Sequence, residues 1–512
     1  MTGSRLALVC FHLMLLAYPG YAMAFGLDDV ADKARALAGE KYQKPEAAPD
    51  FLKNLSYSDY QSIRFKSEQS LWRADESRFQ AMMVPRGNVY SNAVQLNVIN
   101  GKGVGPVEFD KSRFEYPSQE LAKRIPADLG YAGFRLTYPL SGGEARNQFL
   151  VFAGASYFRG VGAGQTFGLS GRGIAVDTGL PSGEEFPAFT EFWMERPSTD
   201  SKSMVVYGLL DGPSLTGAYR FDIHPGKSLK MDVTAKLFFR NDIELLGQAP
   251  LTSMFYYGEN TLRPTGEWRP QVHDSDGLLI HDGKSGEWLW RPLVNPTQLE
   301  RNYYHVEDLK GFGLLQRDRQ FAEFQDNEAR YDRRPSMWVT PRGGEGAGWG
   351  EGEVVLVEIP TRAETNDNIV AFFKPRRSVK SGETLELSYS VTAGEPGITE
   401  QPNGRAVRTF VGAASDDSTL RFIVDFKGGE LTGIKPDATV VSQASGGDGT
   451  EVIEHFVEYV EASDVWRLSM LAKTAPGKRL ALRGALKMDG KPVTETWTYI
   501  LTPGTGLLGK SQ

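Results

Sequence analysis

Residues 230–239 read KMDVTAKLFF, and this stretch decides the fold class. Polar and apolar residues alternate along it, which is typical of an antiparallel strand with one face in the core and the other in water. Similar runs occur at 203–209 (SMVVYGL), 217–223 (GAYRFDI) and 353–359 (EVVLVEI), with Gly, Pro or Asp clusters around them. The sequence therefore predicts a chain built mainly from antiparallel strands.

Helical patterns are few. Residues 27–38 (LDDVADKARALA) have apolar residues at helical spacing, with two Asp near the start and Gly39 at the end. We also expect short helices at 49–55 and 118–124, and residues 318–330 are helical in composition. No repeat of fixed period occurs, which disfavours a propeller or a solenoid. A large antiparallel β-sandwich is the expected architecture.

The composition changes at residues 393–405 (AGEPGITEQPNGR), where Pro and Gly predict a linker. Beyond it, about seven short strands follow in roughly a hundred residues, which is the size of an immunoglobulin-like sandwich. The cysteine pair of an antibody domain is missing, so this likeness is architectural. We expect an all-β protein with a large sandwich at 25–395 and an immunoglobulin-like sandwich at 396–512.

Residues 1–24 have the pattern of a secretory signal peptide. Arg5 precedes a short apolar run, and the small residues of 22–24 (AMA) predict cleavage after Ala24. The segment has no twin-arginine pair, so we expect Sec export. The apolar run is short for a membrane-spanning helix, and no second long run follows. The mature chain is therefore expected in the periplasm and not in the membrane.

Composition excludes several functions. The single cysteine, Cys10, lies in the predicted signal, so the mature chain is expected to have no disulfide and no thiol nucleophile. Removal of Arg5 takes the formal net charge from −7 to −8, and this mildly acidic balance argues against nucleic acid as a partner. The Gly-rich segments at 160–173 and 343–352 do not lead into a Lys-Ser/Thr helix start, which argues against nucleotide binding. We expect no cofactor.

Carboxylates and aromatic rings concentrate between residues 255 and 374. Five of the nine tryptophans lie between Trp268 and Trp349. Aromatic rings stack on the apolar faces of pyranose sugars, and carboxylates act as acid and base at the glycosidic oxygen. This region therefore indicates a protein that acts on sugar chains.

Asp274 and Asp276 lie in a short polar turn, 273–277 (HDSDG), before an apolar run. Ordinary turn chemistry explains them, since Asp side chains bond their own backbone. The functional alternative is that one carboxylate acts as a general base. A metal site made by His273 with both Asp residues is a weaker alternative, because a second His at ligand spacing is missing, and we expect no metal.

Asp367 precedes the apolar residues 369–373. It either starts a strand within an Asn-Asp-Asn turn or is held in apolar surroundings, where it could serve as a proton donor. Thr365 shares its face if the segment is extended, and could hydrogen-bond an acid or a bound water.

Tyr331 and Arg334 are either an exposed helix end or the wall of a sugar subsite. Trp288 and Trp290 alternate along a strand, which fits core packing and sugar stacking equally.

Six segments carry a resemblance to a known family: 157–159 (YFR), 272–278 (VHDSDGL), 287–293 (EWLWRPL), 310–316 (KGFGLLQ), 334–339 (RPSMWV) and 364–370 (ETNDNIV). The chain resembles the osmoregulated periplasmic glucan biosynthesis proteins, which have G-type and D-type members. The resemblance covers essentially the whole mature chain. In lacking a twin-arginine signal, the chain resembles the G-type members.

The resemblance implies a large β-sandwich joined to an immunoglobulin-like domain, and a role in making periplasmic β-glucans. It also implies an inverting endo-β-1,2-glucanase. In that picture Asp367 is the general acid, and Asp274 is the base, acting on a distant water through hydrogen bonds. Tyr331 and Thr365 fall where that relay is expected, and Asp276 is the alternative base.

The resemblance further implies contacts with a β-glucan polysaccharide at the side chains of Tyr157, Arg159, Asp276, Trp288, Trp290, Arg334 and Trp338. The alternative to catalysis is a glucan-binding or branching partner of an inner-membrane glucosyltransferase. A polysaccharide lyase would need uronic acid substrates and a basic site, which the acidic balance disfavours.

Overall fold

The computed structural model describes residues 25–143, 145–343, 349–414, 419–447, 449–475 and 477–503. The predicted signal peptide, residues 1–24, lies outside the described residues. Across the described ranges, no helix combines the length and the apolar character that a bilayer crossing requires. The α-helices are α1 (Leu27–Ala38), α2 (Asp50–Lys53), α3 (Tyr57–Gln61) and α4 (Gln119–Arg124). Single turns of 3₁₀ helix are Ser67–Gln69, Lys111–Arg113, Phe321–Glu323, Tyr331–Arg333, Pro396–Thr399 and Gly429–Leu431.

Strands make up most of the regular structure, so the predicted all-β class is confirmed. The first sixteen are β1 (Arg64–Phe65), β2 (Gln80–Pro85), β3 (Gln95–Asn100), β4 (Gly103–Pro106), β5 (Phe114–Glu115), β6 (Tyr131–Tyr138), β7 (Asn147–Ala153), β8 (Tyr157–Gly160), β9 (Ser170–Arg172), β10 (Ile174–Val176), β11 (Ala188–Glu195), β12 (Met204–Asp211), β13 (Leu215–His224), β14 (Leu229–Phe239), β15 (Leu246–Ser253) and β16 (Phe255–Tyr257).

The next nine strands are β17 (Val272–His273), β18 (Gly277–Asp282), β19 (Trp288–Pro292), β20 (Glu300–Val306), β21 (Leu309–Leu315), β22 (Ser336–Pro341), β23 (Gly352–Glu358), β24 (Ile369–Pro375) and β25 (Thr384–Gly394). The last eight are β26 (Arg405–Ala413), β27 (Thr419–Lys427), β28 (Val441–Gly446), β29 (Thr450–Val460), β30 (Val465–Thr474), β31 (Leu480–Met488), β32 (Lys491–Pro492) and β33 (Thr496–Leu501).

Two large sheets form the main sandwich. Sheet A has the order β2-β6-β7-β8-β9-β15-β24-β23-β20, with β10 beside β15. Sheet B has the order β28-β31-β33-β19-β18-β21-β22-β25-β14-β13-β12-β11-β3-β4, with β32 beside β31. The alternating stretch at 230–239 is β14, in the middle of sheet B, where Val233 pairs with Phe221 on one side and Tyr389 on the other.

The core of the sandwich is a layer of aromatic rings between the sheets. Alternate residues of each strand point inward, so side chains of the two sheets meet face to face. Phe134 of sheet A lies 5.2 Å from Phe192 of sheet B, and Phe152 lies 5.0 Å from Phe221, measured between ring centroids. The predicted antiparallel sandwich is confirmed.

The C-terminal strands form two layers of their own. Strands β26-β27-β30-β29 make one sheet, and β28, β31 and β33 make the other. This second layer is continuous with sheet B, because β33 pairs in parallel with β19, placing Trp497 opposite Trp290. Phe422, Trp497 and Tyr499 pack between the layers. The domain boundary at 395/396 stays a prediction.

Two helical predictions had different outcomes. Helix α1 spans the predicted residues and buries Val30 and Ala34 against sheet B. The helical interpretation of 318–330 is wrong, since this segment contains only the 3₁₀ turn Phe321–Glu323. Asp326 Oδ1 accepts hydrogen bonds from the amides of Glu328 and Ala329, and such local bonds compete with a helix.

Candidate active site

Asp274 follows β17 and is held against sheet A. Its amide donates to the carbonyl of Met254 at 2.8 Å. The side chain is 11% exposed, and Arg334 Nε lies 3.3 Å from Oδ1, a charge contact without hydrogen-bond geometry. Burial raises the pKa of Asp274, Arg334 opposes the rise, and the nearby charge of Asp367 adds to it. A buried carboxylate therefore faces an arginine within the electrostatic reach of Asp367.

A short chain of contacts brings Asp367 to this position. Its neighbour Asn368 accepts a hydrogen bond from the Phe255 amide at 2.9 Å and donates to the Phe255 carbonyl at 3.0 Å. Phe255 in turn pairs with His273, the residue before Asp274. The amide side chain of Asn368 thus replaces a strand pairing, and it fixes the loop before β24 beside the Asp274 turn.

The surroundings of Asp367 differ from the sequence expectation. The apolar run after it is buried in β24, but the Asp367 side chain is 34% exposed and accepts a hydrogen bond from Arg159 Nη2 at 3.0 Å. Of the two alternatives for Asp367, the turn that starts a strand fits the structure and the apolar surroundings do not. The reason is that strand β24 begins at Ile369, after the turn, so its burial does not extend back to Asp367.

Tyr331 lies in the 3₁₀ turn Tyr331–Arg333 and is 3% exposed. Its hydroxyl donates to Glu364 Oε2 at 2.7 Å, and the same oxygen accepts from Arg269 Nη1 at 2.7 Å. Burial and the bond to Glu364 raise the pKa of Tyr331. The predicted relay residue thus contacts Glu364 rather than Asp274, and Thr365 lies exposed in the same loop. Arg269 and Glu364 had no predicted role, because their partners are remote in sequence.

The Gly-rich segment 160–173 closes one side of the site. The Thr166 amide donates to the Arg333 carbonyl at 3.1 Å. A Cβ on Gly168 would lie 2.9 Å from Arg334 Cδ, so only glycine permits this close approach. At the end of the segment, Arg159 Nε donates to Ser170 Oγ at 2.8 Å. The segment therefore positions both arginines that face the two carboxylates.

Asp276 is directed away from this group. It accepts hydrogen bonds from the backbone amides of Arg317 and Asp318, and lies 3.4 Å from His273 Nδ1. These residues line a separate cavity with Glu259, between the sandwich and strand β26. The chain bends at residues 274 and 276, between β17 and β18, so the segment is not an extended strand and the two carboxylates are directed apart. The structure therefore does not bring the alternative base to Asp367.

The second cluster has strongly shifted groups. Burial raises the pKa of Asp276 to about 6, of Asp318 to about 7 and of Glu259 to about 9, and it lowers the pKa of His273 to about 4. Ligand atoms of His273, Asp276 and Asp318 lie within 4.8 Å of one another. The third member of this possible metal-binding group is thus Asp318 and not Asp274, as the sequence-based alternative had it. Both ring nitrogens of His273 lie within hydrogen-bonding distance of glutamine oxygens, Nδ1 of Gln316 Oε1 and Nε2 of Gln271 Oε1.

The three predicted tryptophans are core residues. Trp288, Trp290 and Trp338 are 8%, 3% and 6% exposed, in a cluster with C-terminal strands. Trp288 stacks on His281 at 4.0 Å and on Trp338 at 5.7 Å, and the Arg317 guanidinium lies 3.5 Å from the Trp290 ring centroid. Their prediction as sugar contacts is wrong, because the C-terminal strands cover this part of sheet B.

Exposed rings occur elsewhere around the carboxylates. Tyr157 is half-buried, its ring lies 5.1 Å from the Arg172 guanidinium, and the charge of Asp367 acts on it. Phe186 is 52% exposed, and its ring also lies 5.1 Å from the Arg172 guanidinium. Trp268, next to Arg269, is 66% exposed. These rings, and not the buried tryptophans, are available to a ligand.

The fold and the site define an all-β sandwich protein in which segments of both main sheets bring two carboxylates and two arginines together. The model of the family "Periplasmic glucan biosynthesis protein, MdoG" matches residues 25–501, and the chain belongs to this family. The predicted family is thereby confirmed. The family name places its members in the periplasm.

The chain aligns with two related proteins over more than nine-tenths of their length. The chain is 43% identical to glucans biosynthesis protein G of Pseudomonas aeruginosa (strain LESB58), with 93% of each chain covered. It is 41% identical to glucans biosynthesis protein G of Dickeya dadantii (strain 3937), with 97% of each chain covered. Among solved structures, the Slr1438 protein of Synechocystis sp. PCC 6803 aligns with 51% of this chain and 91% of its own, at 9% identity and a TM-score of 0.16, which supports no argument.

Proposed function

We propose that this protein is an inverting endo-β-1,2-glucanase that acts on the glucan backbone during the biosynthesis of periplasmic glucans. The observation that carries the proposal is the contact chain Asn368–Phe255–His273, which holds Asp367 beside Asp274. A pair of neighbouring carboxylates, Asp367 partly exposed and Asp274 largely buried, supplies the two groups that glycoside hydrolysis needs.

Asp367 is assigned as the general acid because it is the accessible member of the pair, with 34% of its side chain exposed. A general acid must carry a proton when it meets the glycosidic oxygen. Arg159 Nη2 occupies Oδ2 at 3.0 Å, so an entering sugar has to displace it. The displaced guanidinium then donates to sugar hydroxyls, and the freed Asp367 carboxylate takes up a proton from solvent and passes it to the leaving oxygen.

The base side is assigned to Asp274 with Tyr331. Asp274 is 11% exposed, so it reaches an attacking water through intervening groups. Tyr331 is the adjacent hydroxyl, and it is flanked by Glu364 through a hydrogen bond and by Asp274 through its charge. A proton taken from water by the Tyr331 oxygen leaves through one of these carboxylates. Variants Asp274→Asn and Glu364→Gln identify which one accepts it.

The test is incubation of the purified protein with linear β-1,2-glucan, followed by chromatography of the products. We expect shorter oligosaccharides, with loss of activity in Asp367→Asn and Asp274→Asn. Asp308→Asn, an exposed carboxylate on the turn before β21, is the matched control and should cleave normally. Full activity in Asp367→Asn would exclude the assigned acid.

One observation favours a second function, glucan binding without cleavage as a partner of a membrane glucosyltransferase. The Asp367 carboxylate is already engaged by Arg159 Nη2 at 3.0 Å, a contact that competes with delivery of a proton to a leaving oxygen. Glucan binding that is measurable by calorimetry, with no new reducing ends, would support this function. Binding that is unchanged in Asp367→Asn would strengthen it.

A further inference from the structure

A groove with a volume of about 590 Å³ lies on sheet A, beyond the carboxylates. Helix α3 forms one wall, and strands β2, β6 and β7 contribute to the groove. The lining of the groove includes Tyr57, Tyr60, Tyr90, Arg135 and Gln148. Neither the assigned acid nor the assigned base lines it.

The groove and the carboxylate site are connected by one row of paired residues across sheet A. In the strand register, Met82 is opposite Arg135, Arg135 is opposite Val151, and Val151 is opposite Arg159. Paired residues of adjacent strands point to the same side of a sheet. Arg135 and Arg159 are two strands apart, so they are separated by roughly 10 Å. The arginine that contacts Asp367 and the arginine of the groove therefore share a face.

The surface between them is open and partly aromatic. Arg135 and Val151 are half-exposed outward positions of β6 and β7. Tyr90 lies at this surface, where a Cβ on Gly154 would be 3.3 Å from its ring. The absence of a side chain on Gly154 lets the ring lie against the strand end. Tyr90 lines both this groove and a smaller cavity that includes Tyr157.

The chemistry of the groove fits a neutral sugar chain. Tyr57 is 69% exposed at the start of α3, and the rings of Tyr60 and Tyr90 lie 5.6 Å apart. Arg135 Nη1 donates a long hydrogen bond to Gln148 Oε1 at 3.5 Å, and the other N–H groups of these two exposed side chains can donate to hydroxyl groups. Aromatic faces with a guanidinium and an amide are the partners that pyranose rings and hydroxyls require.

We propose that this groove is a remote subsite for long β-glucan chains, which binds the part of the polymer beyond the residues held at Asp274 and Asp367. This inference rests on the proposed function, since it takes glucan to be the ligand of the carboxylate site. It predicts that affinity increases with chain length until a chain reaches the groove.

The experiment compares binding of a short and a long linear β-1,2-glucan by titration calorimetry. The variant is Tyr57→Ala combined with Arg135→Gln, which removes an exposed ring and a charge from the groove. We expect the long glucan to bind about tenfold more weakly, because one charged hydrogen bond and one ring contact are lost. The short glucan should bind with unchanged affinity. The control is Tyr303→Ala, an exposed tyrosine on the edge strand β20, whose removal should leave both affinities unchanged.

The outcomes separate the groove from the carboxylate site. Equal weakening of both glucans, or no weakening of either, overturns the remote subsite while the glucan function stands. No binding of either glucan by the unmodified protein overturns the proposed function and this inference together. Melting temperatures of the variants are compared with the unmodified protein, so that loss of affinity is not confused with unfolding.

Discussion

The hydroxyl of Tyr331 donates to Glu364 Oε2 at 2.7 Å, across 33 residues of sequence. This bond joins the 3₁₀ turn that carries Arg334 to the loop that carries Asp367. Arg269 shares the acceptor oxygen at 2.7 Å. The position of the Tyr331 turn relative to the Asp367 loop therefore depends on Glu364.

The first prediction is that Tyr331→Phe removes this connection without changing the packing of the ring. The free energy of unfolding should fall by about 1–2 kcal/mol, because one hydrogen bond to a charged acceptor is lost. Glucan cleavage should fall by more than the stability change explains, since the loop is loosened and the relay hydroxyl is gone. Chemical denaturation and the cleavage assay measure both, and Tyr303→Phe is the control. Unchanged cleavage by Tyr331→Phe would exclude the relay.

The second prediction concerns Arg334, the cation 3.3 Å from the buried Asp274. Arg334→Met should raise the pKa of Asp274 further, because burial then acts without the opposing charge. A carboxyl whose pKa is raised by folding contributes stability at low pH that is lost as the pH rises through the folded pKa. The variant should therefore be destabilised more at pH 8 than at pH 5.

Melting temperatures at the two pH values test this expectation. Arg333→Met, which removes the exposed neighbouring arginine, is the matched control and should show a pH dependence like that of the unmodified protein. Equal destabilisation of Arg334→Met at both pH values would mean that Arg334 does not interact with the Asp274 charge.

The third prediction concerns the second carboxylate cluster. Burial raises the pKa of Asp318 to about 7, above the value of about 3.9 for an unfolded chain. The stability that depends on its proton is complete below about pH 4 and is lost as the pH rises toward 7. Asp276 and Glu259 act in the same direction, and His273, whose pKa is lowered to about 4, acts in the opposite direction.

Asp318→Asn removes this dependence, since an amide still accepts the hydrogen bond that Gln271 Nε2 donates at 2.8 Å. The variant should gain melting temperature relative to the unmodified protein between pH 5 and pH 8. Scanning calorimetry over that range measures the gain, with Asp308→Asn as an exposed control. A constant difference between the two proteins would show that titration of Asp318 does not contribute to stability over this pH range.

The fourth prediction concerns the ion pair of Arg291 and Glu358, both fully buried. Glu358 also accepts from the Val294 amide at 2.9 Å and from Asn302 Nδ2 at 3.3 Å. Glu358→Ala should reduce the free energy of unfolding by about 3–5 kcal/mol, because it leaves a buried arginine without its partner. Glu353→Ala, on the same strand and half-exposed, should cost far less. Denaturant titration separates the two, and similar losses would contradict the buried pair.

Local patterns in the sequence were sufficient for much of the fold. The alternation at 230–239 gives β14, and the capped apolar pattern at 27–38 gives α1. Both depend only on neighbours within a few residues. The seven predicted C-terminal strands follow for the same reason, since each is bounded by turn residues, and the structure adds the two-residue β32.

The predictions that failed concern side chains whose surroundings are set by segments distant in sequence. Trp288 and Trp290 alternate as a strand predicts, but only the parallel pairing of β19 with β33 shows that their face is covered. The separation of Asp276 from Asp274 depends on which cavity each side of the turn meets. The contacts of Asp367 with Arg159, across 208 residues, have no local signal in the sequence.

We propose that Asp367 and Asp274 together cleave one β-glucan with inversion. Proton NMR of the new reducing ends, during the first minutes of the reaction with linear β-1,2-glucan, tests this proposal. We expect the α anomer to form first and Asp367→Asn to form none. Appearance of the β anomer first, or of no new reducing ends with the unmodified protein, would contradict it.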